Sequence, residues 1–146
     1  MVELSKSTLA SMSSCRKYPD ENKVKPISVF ESVMRNLVFS AVKFTHKEGK
    51  VIITATAISN NTVEISIKDT GIGMNKEMPD KLFQLDANIG HKGTEGEPGT
   101  GLGLFICKDF VEKQGGKLRV ESEEEKGSNF LFTLPAKANN LSVNKV

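Results

Sequence analysis

The chain has 146 residues, 38% hydrophobic and 26% charged, with a formal net charge of +2 at pH 7. That balance describes a globular domain with room for one core, and the near-neutral charge gives no ground for nucleic-acid binding or an anionic membrane surface. The two cysteines, Cys15 and Cys107, are too few for a disulfide framework. With no apolar run of spanning length and no signal-peptide core, the expected setting of the domain is a reducing cytoplasm. Anchoring of a longer protein to a membrane stays open.

In chain order, residues 1–26 are rich in Ser, Lys and Asn and poor in apolar side chains. They read as a loosely held lead-in, with at most one edge strand, or as the stub of a preceding region. Residues 27–45 then carry Ile27, Phe30, Val33, Leu37, Ala41 and Phe44 at steps of three and four, which predicts an amphipathic helix. Ser28 with Glu31 has the spacing of a capping box. Asn36, Ser40 and Lys43 form a polar stripe beside the apolar face.

Lys50–Ile58 and Thr62–Lys68 are Val-, Ile- and Thr-rich or alternating, and the Ser59-Asn60-Asn61 turn joins them into a hairpin that delivers Asp69 to a strand end. A short helix is expected within Lys76–Phe83. Asp86–Pro98, with three glycines and a proline, reads as a flexible loop. A second long helix runs to Gln114 and stops at Gly115-Gly116. Strands follow at Lys117–Ser122 and Asn129–Leu134, and Phe130, Phe132 and Leu134 share a face of the latter. Asn139–Val146 is a polar tail.

Two glycine clusters bracket the loop: Asp69-Thr70-Gly71-Ile72-Gly73-Met74 and Gly99-Thr100-Gly101-Leu102-Gly103-Leu104. Glycine-rich backbone entering a helix N-terminus offers free N–H groups and a positive dipole end, which suits phosphate. The spacing lacks the third glycine of the dinucleotide fingerprint, and no βαβ unit surrounds it. A carboxylate at Asp69, with glycines admitting a planar ligand, matches an amino group such as that of adenine; an ordinary turn aspartate is the other reading. His46 and His91 have no partners at zinc-ligand spacing. Cys107, inside the second helix, reads as a small buried hydrophobe.

These motifs, in this order, resemble the ATP-binding domain of sensor histidine kinases. Asn36–Thr45 is similar to the family's N-box, Asp69–Met74 to its first glycine box, Leu82-Phe83 to its phenylalanine box and Gly99–Leu104 to its second glycine box. Gly115-Gly116, Val120–Ser122 and Gly127–Phe130 match its closing segments. The resemblance covers residues 27–135. It implies an α/β two-layer sandwich, a mixed β-sheet covered on one face by helices: the Bergerat ATP-binding fold shared with DNA gyrase. It further implies that Asp69 takes the adenine amino group, with Gly71 and Gly73 beside it and Phe44 flanking the ring. Asn36 and Lys43 would serve at the phosphate end, as the catalytic pair. Asn36 and Ser40 would ligate Mg²⁺. Gly99, Thr100, Gly101, Leu102 and Gly103 would reach the phosphates through their backbone, Lys92, His91 or Gln84 would touch the γ-phosphate, and Thr133 would sit near the adenine.

The implied function is transfer of the ATP γ-phosphoryl to a histidine on a separate dimerisation domain, with a response-regulator receiver downstream. No acceptor histidine domain is recognisable in the chain. Ser40 stands where the family carries a second asparagine, and the loop holds no arginine. Two alternatives therefore stay open: a non-catalytic nucleotide-binding or docking module, and a serine/threonine kinase of the anti-sigma-factor type.

Overall fold

A computed structural model describes residues 2–5, 29–59, 61–84 and 102–135. The elements are β1 (Val2–Ser5), α1 (Val29–Lys43), β2 (Lys50–Ser59), β3 (Thr62–Asp69), α2 (Met78–Lys81), α3 (Leu102–Lys113), β4 (Leu118–Glu123) and β5 (Gly127–Pro135). The Ser28 cap, the 86–98 loop and the tail lie outside the described residues, as do all positions of the lead-in except 2–5. Among the described residues no helix is long and apolar enough to cross a membrane.

The five strands form one sheet in the order β1-β2-β3-β5-β4. Residues 2–5 supply the edge strand, pairing Val2 with Ile53 and Ser5 with Lys50. The sheet is not mixed as the resemblance implied: every described ladder is antiparallel. β4 runs in the direction of β3, but the β4–β5 hairpin puts β5 between them. A parallel ladder needs the two co-directional strands to be neighbours.

Helices α1 and α3 pack against each other and cover one sheet face. The cause is the period-2 alternation of the strands meeting the helical period of α1. Val51, Ile65, Ile67, Leu118, Phe130 and Phe132 point inward and meet Val33, Leu37 and Ala41 of α1 with Cys107 and Val111 of α3. The opposite face carries polar pairs around a buried Leu131: the Ser66 hydroxyl donates to Asn129 Oδ1 at 2.6 Å, and Arg119 bridges Glu64 and Glu121. Only the middle of the apolar stripe on α1 is core. Phe30, at its start, is 43% exposed. Because Ile67 is wholly buried at the centre of this layer, Ile67→Val should lower unfolding stability by about 0.5–1.5 kcal/mol in a urea titration, with an unchanged m-value.

Candidate functional site

The inward alternation of β3 ends on a charge. Asp69 follows Ile65 and Ile67 on the same face and is only 2% exposed. Its Oδ1 accepts the Gly71 N–H at 2.9 Å and the Ser128 N–H at 3.2 Å. Neither bond uses Oδ2, the acceptor left for a ligand. Burial pushes the carboxyl from 3.8 up to about 6, with the two N–H bonds pulling the other way. At 1.36 kcal/mol per pKa unit, holding it ionised at neutral pH costs the folded protein roughly 3 kcal/mol. The folded-state value lies above the unfolded one, so this cost is absent below pH 4 and complete above pH 6.

The first glycine loop is locked around this carboxylate. A Cβ on Gly71 would collide with the Phe44 carbonyl and lie 2.8 Å from Asp69 Oδ1, and the Ile72 N–H donates to that same carbonyl at 3.0 Å. Gly73 has φ +63°, and a Cβ there would fall well under 3.0 Å from the Glu123 carbonyl oxygen. The loop therefore lies directly on the β4–β5 turn, and the Glu125 N–H seals the contact by donating to Ile72 O at 2.7 Å.

The loop and the turn wall a cleft of about 280 Å³. Asp69, Ser128 and Phe130 of the sheet line it, with Ser40 of α1, Phe44 just past the end of α1, and Leu104 of α3. Ile72, Gly73, Met74, Met78 and Leu82 add an apolar side, and Asn75 and Glu124 are also on the lining. An apolar slot with a few placed polar groups is the usual form of a small-molecule site. Its volume lies just below the roughly 300–1,000 Å³ of sites that enclose a whole drug-sized ligand. It suits a planar base whose polar remainder extends outward.

The polar stripe of α1 divides. Ser40 lines the cleft. Asn36, one turn earlier, faces α3: its Oδ1 lies 3.7 Å from where a Gly103 Cβ would be. Lys43 is 6% exposed, with its ammonium 4.9 Å from the centroid of the Phe44 ring. Leu102 opens α3, so the second glycine box does lead into a helix N-terminus. Lys92, Gly99, Thr100 and Gly101 lie outside the described residues. Leu82 lines the cleft, while Phe83 lies under the Lys108 ammonium, 5.6 Å from its ring centroid. Cys107 is fully buried, and burial pushes its thiol up to about 11, which suits packing and not nucleophilic chemistry.

Thr133 does not belong to this cleft. It pairs with Glu64, five residues back along β3 from Asp69, and falls on the outer face of the sheet. Its hydroxyl accepts the Lys117 N–H at 3.0 Å. The residue in its place is Ser128, which sequence reasoning missed. Ser128 is 8% exposed, donates its N–H to Asp69 and shares a 2.8 Å hydroxyl contact with Ser122. The signal was present: counting back by twos from Phe132 and Phe130 reaches Ser128, whereas Thr133 is out of phase.

Comparison with known proteins agrees with this geometry. Sensor protein SrrB of Staphylococcus aureus is 36% identical over 105 residues, which are 72% of this chain and 18% of that protein. The chain thus spans less than a fifth of the length of the curated relatives it matches. The structure of a mycobacterial sensor histidine kinase, MprB, superposes with a TM-score of 0.65 at 26% identity, covering 78% of this chain and 76% of that one. Full-length ShkA in complex with AMPPNP gives a TM-score of 0.61 at 32% identity, covering 75% of this chain and 22% of ShkA. Residues 27–138 match the model of one family over its ATPase fold, and the chain therefore belongs to the histidine kinase-, DNA gyrase B- and HSP90-like ATPases, as an ATP-binding domain of the histidine-kinase type.

Proposed function

We propose that this domain presents ATP to a histidine on a separate helical dimerisation domain, in a relay that ends on a response-regulator receiver. The observation carrying the reading is the buried Asp69 carboxylate on the floor of an apolar cleft, in a chain of this family. Oδ2 of Asp69 accepts the adenine amino group, Phe44 flanks the ring, and the phosphates leave toward the N-terminus of α3. In the transfer an imidazole nitrogen attacks the γ-phosphorus, the bond to the ADP oxygen breaks, and the imidazole releases a proton. The protein contributes position and charge neutralisation.

Asn36 and Ser40 would hold Mg²⁺. Both offer hard oxygen donors one helical turn apart, and among the described residues no group of three or more His, Cys, Asp or Glu could hold a metal. That donor set fits a cation shared with the phosphates, the usual state of magnesium in nucleotide sites, and not a cage built by protein alone. When bound, the cation would neutralise phosphate charge. Lys43 would contribute a positive field at the same end, and Lys92 with Gly99, Thr100 and Gly101 would complete the phosphate contacts.

A second reading, a docking module that binds nucleotide without transferring phosphate, has its own support. Ser40 is the single stripe residue on the cleft lining, while Asn36 faces α3 and Lys43 is buried. Transfer from radiolabelled ATP to a supplied helical domain separates the two. Under the first reading Ser40→Asn raises the transfer rate and leaves metal-free ADP affinity unchanged, because the longer amide reaches the cation. If wild type and Ser40→Asn both bind ATP and neither transfers, the docking reading takes over.

The Asp69 carboxyl also sets a pH dependence. A ligand amino group binds its ionised form, and the free protein's value is about 6. ADP affinity should be constant above pH 7 and fall toward pH 5 by up to about tenfold, the protonated fraction setting the loss. Calorimetry at four pH values checks this, and Asp69→Asn should flatten the profile.

A further inference from the structure

We propose that Lys108 is a positioning residue: its ammonium, seated over the Phe83 ring, holds the wall of the cleft formed by Met78 and Leu82 in place against α3. The inference rests on the nucleotide reading of the cleft given above and extends it to a residue that is not on the cleft lining.

Met78 and Leu82 stand one helical turn apart and both line the cleft. The segment that carries them has little to fix it. α2 has four residues, and none of them is buried. Among the described residues, the hydrogen bonds and ion pairs of residues 75–84 close within that segment. Asn75 Oδ1 accepts the Glu77 and Met78 N–H groups at 3.2 Å, the Leu82 N–H donates to Met78 O at 3.1 Å, and Lys81 pairs with Glu77. A single helical turn is not stable by itself. Its place depends on packing, which Leu82 and Phe83 supply as partly buried neighbours of the core.

One charged contact reaches this segment from outside. The Lys108 ammonium lies 5.6 Å from the Phe83 ring centroid, within the range at which a ring face attracts a cation. Lys108 comes four residues after Leu104, so the two share a face of α3. Leu104 lines the cleft, as does Leu82, the residue before Phe83. The contact between Lys108 and Phe83 therefore joins two walls of the cleft from outside it. The Lys108 side chain is 38% exposed, and its ammonium also lies 3.8 Å from Glu112 Oε1. A cation–π pair at such a partly exposed site shifts an equilibrium by about two- to fivefold. Affinity scales with the fraction of molecules whose wall is in place, so nucleotide binding should respond by the same factor.

The test uses the full 146-residue chain. Lys108→Met keeps the stem and removes the charge. Lys108→Arg keeps a cation that stacks on rings. Phe83→Leu removes the ring face and keeps an apolar side chain. The Met78 and Leu82 methyl signals in ¹³C-correlated spectra report on the wall without nucleotide, and calorimetry without metal gives ADP affinity. In Lys108→Met the methyl signals should shift and ADP affinity should drop about two- to fivefold. Lys108→Arg should keep both near wild type. In the Phe83→Leu background, Lys108→Met should change neither any further.

Unchanged methyl signals or unchanged ADP affinity in Lys108→Met overturn the proposal. So does an equal loss in Lys108→Arg, which would mark a packing effect of the lysine stem. A full loss on adding Lys108→Met to Phe83→Leu also overturns it, because the charge would then act on the nucleotide directly. A wild-type chain that does not bind ADP sinks instead the nucleotide reading of the cleft, while the methyl signals still decide whether Lys108 holds the wall.

Discussion

Asp69→Asn should cost ATP about 10- to 100-fold in affinity while leaving the fold intact. The asparagine oxygen can still accept the Gly71 and Ser128 N–H groups now held by Oδ1. What changes is the other end of the group. An NH₂ replaces the free Oδ2, so a donor meets the adenine amino donor. Losing a hydrogen bond to a charged group is worth roughly 1.5–3 kcal/mol, which gives that range. Guanine presents a carbonyl at the same position, so selectivity for ATP over GTP should collapse in the variant. Stability should move the other way. At pH 7.5 the variant escapes the roughly 3 kcal/mol cost of a buried anion and should melt higher than wild type. Near pH 4.5, where the wild-type carboxyl is protonated in the fold but still mostly ionised in the unfolded chain, the difference should shrink to about 1 kcal/mol. Titrations of ATP and GTP and melting at the two pH values check each part. Equal ATP affinity in wild type and variant would remove the adenine role from Asp69.

Gly73→Ala should unfold the site, and Gly115→Ala serves as its control. Both glycines have positive φ, +63° and +80°. An alanine pays about 1–2 kcal/mol for that conformation wherever it occurs. At Gly115 that is all, because nothing lies within 4 Å of the added Cβ. At Gly73 the Cβ would overlap backbone, the Glu123 carbonyl, which cannot rotate away as a side chain would. The β4–β5 turn must move, and with it the Glu125 N–H bond to Ile72 and the Ser128 N–H bond to Asp69. We expect Gly115→Ala to lose about 1–2 kcal/mol and to bind ADP normally. Gly73→Ala should lose about 3 kcal/mol or more and bind ADP at least tenfold more weakly. Denaturant titration with parallel ADP binding gives both numbers. Equal losses at the two sites would mean that close approach to the turn does not govern Gly73.

What the sequence determined is local and periodic. The spacing of Val33, Leu37 and Ala41 specified a helix with one buried face. The alternation of Val63, Ile65 and Ile67 specified a half-buried strand and carried Asp69 to its end on the inner side. Both patterns follow from backbone periods that need no tertiary partner to be read. The ordered glycine boxes named the family for the same reason: their spacing is fixed along the chain. Tertiary structure decided what depends on pairing and on neighbours. Whether the sheet is mixed or antiparallel turned on β5 pairing with β3, a long-range choice that strand patterns do not contain. Whether Thr133 or Ser128 meets Asp69 turned on register, since a shift of one residue exchanges the two faces of a strand. The stripe Asn36-Ser40-Lys43 was legible as a stripe. Its division among α3, the cleft and a buried position over Phe44 was set by the packing of α3 against α1, because a helix face spans a wide arc and only the neighbouring element determines which part of it meets protein and which part is left to a ligand.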